Sequence, residues 1–207
     1  MDIKKLKASA QALADRDWDV PAIEARIRKL AHQGIPQKKR APGATWSPRE
    51  QILDRVQQRA EEYNFRIRNC AQGTALSLLE EFGLGNMQII KALTPFPGIA
   101  GTGQTCGAIS GSLIAFGLLF GSDDRLDPEA IGTTIANAQR FMELFEGELG
   151  YRTCADIHEH VVFGRNMQPG ASPEHMQAFE EAGGFERCGL VTGIGARLAA
   201  GFMLDHM

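Results

Sequence analysis

Apolar residues along this chain recur at steps of three and four positions, the spacing that places them on one face of an α-helix. The pattern starts in residues 3–13, and a second short helix opens at Val20 with Pro21 in its first turn. No segment alternates apolar and polar residues for long enough to predict a strand. Further helices are predicted at about 69–82, 86–93, 105–120, 127–149, 153–162, 172–182 and 185–204. The pattern therefore predicts an all-α fold, a compact helical bundle.

A boundary between two parts of the chain is predicted near residue 45. The second helix should end near Gly34, and the segment GIPQKKRAPGAT, residues 34–45, has the Pro, Gly and consecutive cations of a linker. Ser47, Pro48 and Glu50 then combine a capping residue, a first-turn proline and an acidic partner, which together predict a helix start. We expect a basic helical extension with its linker in residues 1–45 and the main domain in residues 46–207.

Charge is distributed unevenly along the chain. The whole sequence has a net charge of -3, but residues 1–45 hold ten Lys and Arg against five Asp and Glu. Nucleic-acid binding is not favoured, since this arm has one Trp and no Tyr or Phe to stack on bases. We expect the arm to dock on the acidic remainder of the chain or on a second copy, so a homo-oligomer or a subunit of a complex is predicted.

The composition, 43% hydrophobic and 23% charged, is that of a soluble globular protein. The longest apolar stretch, Leu113 to Phe120, is far shorter than the ~20 residues that a membrane span needs. The N-terminus lacks the apolar core of a secretory signal. We therefore expect a cytoplasmic protein that does not cross a membrane.

Four cysteines carry the candidate chemistry: Cys70, Cys106, Cys154 and Cys188. None forms a C-x-x-C pair, so the usual zinc-finger and ferredoxin spacings are absent. Each instead lies near the beginning of a predicted helix, where unpaired N–H groups and the helix dipole stabilise a thiolate. If these helix ends point to one place, the four sulfurs meet there.

Stripes of small residues follow two of the cysteines, and they would let helices approach closely or leave space for a cofactor. The stripes are Gly107, Gly111 and Ala115 in the first case and Gly189, Gly193, Ala196 and Ala200 in the second. Tight core packing explains the glycines equally well when they are considered without the cysteines.

Two motifs give the chain a family resemblance. Cys70 lies in NCAQG, and Cys106 lies in TCGAISG, which fits C-G-A-x-x-G, with Cys154 and Cys188 isolated downstream. In this order the residues resemble the redox-active family C_GCAxxG_C_C, over about residues 69–195. The resemblance implies a mainly helical domain with four redox-active or metal-binding cysteines, to which the first 68 residues are an addition.

Several chemistries are compatible with four such thiols. We expect them to bind an iron–sulfur cluster and exchange electrons with a redox partner protein or a small-molecule substrate; zinc is the alternative metal. A zinc site would indicate a non-catalytic interaction domain. Cys70 and Cys106 could instead cycle between dithiol and disulfide, alone or in a reductase subunit, if their Cα atoms lie within about 7 Å. Buried structural cysteines are the remaining interpretation.

The glycine-rich segment before Cys106 is a candidate cofactor-binding loop. Cys106 occupies the third glycine position of G-x-G-x-x-G and no strand precedes it, so a dinucleotide site is not predicted. The backbone N–H groups of this loop could instead approach a cluster sulfide or an anionic ligand. The candidate cofactor-binding residues are Gly101, Gly103, Gln104, Thr105 and Gly107, and Thr102 is a further hydrogen-bond donor.

His158 follows Cys154 by one helical turn and is a candidate ligand or proton donor. His160 is two residues away and points to another helix face, so the pair does not predict a joint zinc site. The alternative is that both histidines lie on a solvated face.

Overall fold

The computed structural model describes residues 2–37, 48–124 and 126–207, which form helices joined by short loops. No strand occurs in these ranges, and their one β-bridge joins Thr105 to Thr153. The helices are α1 Ile3–Ala14, α2 Val20–Gln33, α3 Arg49–Ile67, α4 Cys70–Phe82, α5 Met87–Ala92, α6 Gly98–Gly101, α7 Gly107–Phe120, α8 Pro128–Leu149, α9 Cys154–Asp156, the π-helix Ile157–Val162, α10 Pro173–Glu181 and α11 Gly184–Asp205. The all-α prediction is confirmed.

Two segments differ from the predicted helices. The helix expected over 153–162 is one short turn, α9, that continues as a π-helix, a widened form that apolar spacing does not distinguish. The short turn α6 was not predicted, and Ile99 and Ala100 within it have left-handed backbone angles. Ser47 and residues 38–45 of the predicted linker lie outside the described residues.

The core is built where α11, α3, α4 and α7 pack against one another. Glycines allow this close approach, as the small-residue stripes predicted. A Cβ at Gly111 of α7 would overlap the Ala71 carbonyl oxygen of α4, and one at Gly73 of α4 would lie 2.9 Å from the Asn64 nitrogen of α3. The backbones of α4 and α7 therefore meet almost directly at their first turns.

The N-terminal helices pack on the main bundle. Helix α1 lies against α11 and the π-helix, and α2 lies against α3. Leu30 of α2 is buried within the same hydrophobic core as the main helices. Arg16 and Arg26 form ion pairs of 3.4 and 2.8 Å with Glu61 and Glu62 of α3. The basic arm thus docks on acidic groups of its own chain.

Within the described ranges, α11 is long and apolar enough to cross a membrane by length and composition. In this protein 67% of its most apolar window is buried inside the bundle, as in the core helix of a globular protein.

Candidate redox site

All four cysteines line one cavity of about 280 Å³. They come from the start of α4, the residue before α7, the start of α9 and the interior of α11. Cys106 is buried, the other three are partly exposed, and none is in a disulfide. The wall between them is mainly apolar and includes Ile157, Phe179 and Val191. Distant segments of the chain therefore deliver four free thiols to one partly enclosed space.

Cys70 occupies the position richest in hydrogen-bond donors. Asn69 caps α4 by accepting the Gln72 N–H at 2.9 Å, and this fixes Cys70 as the first residue of the helix. The Cys70 sulfur accepts backbone N–H groups from Cys70 itself, from Ala71 and from Gly107. The last donor reaches it because Gly107 has no Cβ; a Cβ there would overlap the sulfur. Two helix N-termini thus meet at one thiol.

Cys106 is hydrogen-bonded to the Cys70 side chain, and the pKa values of the two thiols shift in opposite directions. The hydrogen bond from Cys106 and the backbone N–H groups lower the pKa of Cys70, against the effect of burial. The same hydrogen bond, together with burial, raises the pKa of Cys106 well above its usual value. Of the two thiols, Cys70 therefore loses its proton first.

The glycine-rich loop ties Cys106 to Cys154 through the backbone. The Cys106 N–H donates to the Arg152 carbonyl at 2.9 Å, and the Cys154 N–H donates to the Gln104 carbonyl at 2.7 Å. A Cβ at Gly98, whose φ is +53°, would lie 3.2 Å from the Cys154 Cβ. These contacts hold the backbone of the Cys106 loop against the backbone at Cys154. Burial raises the pKa of Cys154 to about 12, with a smaller contribution from Cys70.

Cys188 lies one residue farther into its helix than the sequence predicted. Helix α11 begins at Gly184, so Cys188 is past the opening turn whose N–H groups are unpaired. It receives no stabilisation of its thiolate from a helix end. Burial first, and then the nearby Cys154 and Cys70, raise its pKa well above the usual value.

His158 is buried beside two of the cysteines, so the prediction of a solvated helix face is wrong for this residue. The residue is 3% exposed, and Nε2 lies 3.5 Å from the Cys154 sulfur and 3.6 Å from the Cys188 sulfur. Burial lowers its pKa to about 4. His160 instead stacks on Tyr151. The two histidines therefore lie in different surroundings, as their spacing predicted.

The candidate loop residues occupy different places around the site. Gly101 and Gly103 line the cavity, and Gly107 donates to the Cys70 sulfur. The Gln104 N–H donates to the Gly98 carbonyl, and its side chain is exposed. Thr105 forms the bridge to Thr153.

Thr102, the further candidate donor, uses its hydroxyl within the loop. The hydroxyl donates to the Ile99 carbonyl at 2.7 Å. The observed bonds of Thr102 and Gln104 therefore hold the loop in shape.

Aromatic residues form a part of the site that sequence reasoning missed. Phe179 of α10 stacks on the His158 ring, and Phe163 meets the same ring edge-on. Phe185 of α11 packs edge-on against Phe179 and also lines the cavity. No motif marks these residues, because they reach the site only through the packing of α10 and α11.

The thiols are arranged as two pairs around the cavity. Cys70 and Cys106 touch each other, and His158 stands beside both Cys154 and Cys188. Among the described residues no group of three or more His, Cys, Asp or Glu side chains could hold a metal ion.

Comparison with known proteins identifies the same region of the chain. Residues 68–202 match the family described as "Putative redox-active protein (C_GCAxxG_C_C)". This match covers more than half of the chain and includes all four cysteines and His158. No curated protein and no solved structure is similar enough to this chain to count as a match.

Proposed function

Since this chain belongs to the C_GCAxxG_C_C family of redox-active proteins, we propose that its four cysteines hold an iron–sulfur cluster. The observation that carries the proposal is that four thiols from four separate segments line one cavity. A cluster places iron and sulfide between its ligands and so accepts sulfurs that are farther apart than a single ion does. The preference for a cluster over zinc rests on the redox character of the family, since four thiolates also suit zinc.

The chain's own groups suit such a cluster in charge and in solvation. When bound, the cluster supplies a centre that gains or loses an electron. The N–H groups of Ala71 and Gly107 already point to a sulfur, and such donors stabilise thiolate ligands. The apolar wall, which includes Ile157 and Val191, limits the access of water. Cys106, Cys154 and Cys188 have raised pKa values, so these thiols release protons when they become ligands.

A redox partner protein or a small-molecule substrate would exchange electrons at the open side of the cavity. The cytoplasm, where thiols stay reduced, is the compartment in which a four-thiol site remains intact. Association with a second copy or within a larger complex stays a prediction from the charge pattern.

Anaerobic purification with iron and acid-labile sulfide analysis tests the proposed cluster. We expect both elements together with visible absorption, and we expect both to fall in Cys154→Ser but not in the matched control Gly117→Ala, a helical site with open space around it. A protein that contains neither iron nor sulfide, before and after reconstitution, would overturn the proposal. Stoichiometric zinc in its place would support the interaction-domain alternative.

The contact between Cys70 and Cys106 favours a second candidate, thiol–disulfide exchange. The Cys70 thiolate attacks a low-molecular-weight disulfide, forms a mixed disulfide and releases one thiolate. Cys106 then loses its proton and attacks the Cys70 sulfur, which forms the Cys70–Cys106 bond and releases the second thiolate. The protein's two thiols are oxidised, and the small disulfide is reduced to two thiols.

Treating reduced, metal-free protein with a small disulfide tests the second candidate by mass spectrometry. We expect a Cys70–Cys106 link in the wild type and in Cys188→Ser. Cys106→Ser should stop at the mixed disulfide on Cys70. Links that join other cysteines, or no link, would contradict this candidate without affecting the first.

A further inference from the structure

We propose that His158 is a positioning residue that donates its Nε2–H to the sulfurs of Cys154 and Cys188. This inference rests on the proposed function, in that both sulfurs serve the redox site. His158 lies outside the motifs that define the family resemblance, which contain cysteine, glycine and alanine. The role assigned to it concerns Cys154 and Cys188. Their sulfurs receive no backbone N–H groups from a helix N-terminus, whereas the Cys70 sulfur receives them from α4 and α7.

The first support is the geometry around Nε2. It lies at nearly equal distances from the two sulfurs, 3.5 and 3.6 Å, so one N–H can be shared between them. Cys154 is one turn before His158, whereas Cys188 belongs to α11. The imidazole therefore connects two thiols that belong to different helices.

The second support is the way in which the ring is held. Phe179 stacks on it with ring centroids 5.5 Å apart, and Phe163 meets it edge-on at 5.2 Å. The backbone at His158 belongs to the π-helix Ile157–Val162, and such widened turns occur frequently at functional sites. The ring is thus fixed in orientation and pointed at the sulfurs.

The third support is the location of the ring proton. Nδ1 of His158 is buried and has no hydrogen-bond partner. A neutral imidazole has one N–H, and a proton on Nδ1 would leave a buried donor without a partner, with Nε2 able only to accept the weak S–H donor of a thiol. A proton on Nε2 satisfies the donor and leaves only an acceptor unpaired. The structure therefore favours the Nε2–H form.

Donation to these sulfurs has a consequence for electron transfer. Hydrogen bonds to ligand sulfurs withdraw electron density and help a redox site accept an added electron. Removing the donor should therefore shift the reduction potential of the loaded site to a more negative value.

Three variants test this role by potentiometry of the loaded protein. His158→Phe keeps an aromatic ring and removes the donor, so we expect a more negative potential. His158→Gln places an amide N–H near the position of Nε2, so we expect the potential to return towards that of the wild type. His160→Ala is the control, since His160 stacks on Tyr151 away from the thiols. An unchanged potential in a fully loaded His158→Phe protein would overturn the proposal.

Nitrogen NMR of the reduced, metal-free protein provides a readout that does not require a cluster. The His158 signals, identified by their loss in His158→Phe, should show the neutral ring with its proton on Nε2. A proton on Nδ1 would overturn the inference. If the protein binds no cluster at all, the proposed function fails while this measurement still decides the role of His158.

Discussion

Cys70 differs from the other cysteines in what its sulfur touches. It accepts a hydrogen bond from Cys106 and three backbone N–H groups, whereas burial dominates at Cys154 and Cys188. Cys70, Cys154 and Cys188 are all partly exposed. Differences in their reactivity should therefore report thiolate content together with the burial of each sulfur.

We expect iodoacetamide to alkylate Cys70 first in the reduced, metal-free protein at pH 7. A lowered pKa means that the thiolate of Cys70 forms at lower pH, whereas Cys154, with a pKa of about 12, remains a thiol. Peptide mapping by mass spectrometry over a pH series measures each rate. Cys106→Ala removes the largest cause of the shift and should slow Cys70 alkylation at pH 7. Faster alkylation of Cys154 or Cys188 would contradict this assignment.

At the scale of elements, the close approach of α7 to α4 brings Cys106 to Cys70. Gly107 and Gly111 face α4, and a Cβ on either would overlap atoms of that helix. Gly117 lies in the same helix but has nothing within 4 Å of an added Cβ. One helix therefore offers both a sensitive position and a matched control.

Gly107→Ala should destabilise the fold by about 1–3 kcal/mol, because the new methyl group overpacks the contact with Cys70 and Ala71. Gly117→Ala should be neutral or stabilising by up to about 1 kcal/mol, because Ala favours the helix over Gly. Urea unfolding followed by circular dichroism measures both variants. Equal free energies of unfolding for the two would show that α4 and α7 are not in direct backbone contact.

At the scale of the whole molecule, the N-terminal helices and the main bundle share one hydrophobic core. Leu30 of α2 is 4% exposed and belongs to that core, whereas Leu126, in the loop before α8, is 89% exposed. A separately folded extension would leave the main bundle unaffected by a change at Leu30.

Leu30→Ala should lower the free energy of unfolding by about 2–5 kcal/mol within a single cooperative transition, because it leaves a cavity in the shared core. Leu126→Ala, the control, should stay within about 0.5 kcal/mol of the wild type. Urea unfolding followed by both tryptophan fluorescence and circular dichroism tests for one transition. Two separate transitions would indicate that the extension unfolds independently.

The sequence by itself determined the helices and the identity of the four thiols. Apolar spacing and capping residues such as Asn69 act within a few positions, so they are readable from the chain. The cysteines at the starts of α4 and α9 follow from the same local rules. The family resemblance, which rests on residues in a fixed order, was readable for the same reason.

Only the tertiary structure decided which of those groups meet. Spacing along the chain does not reveal that Cys70 pairs with Cys106, that His158 stands between Cys154 and Cys188, or that Phe179 covers it. Apart from the one-turn step between Cys154 and His158, these contacts join residues from helices far apart in sequence, and they depend on how those helices cross. Helix formation is governed by neighbours a turn away, whereas the site is governed by packing across the whole bundle.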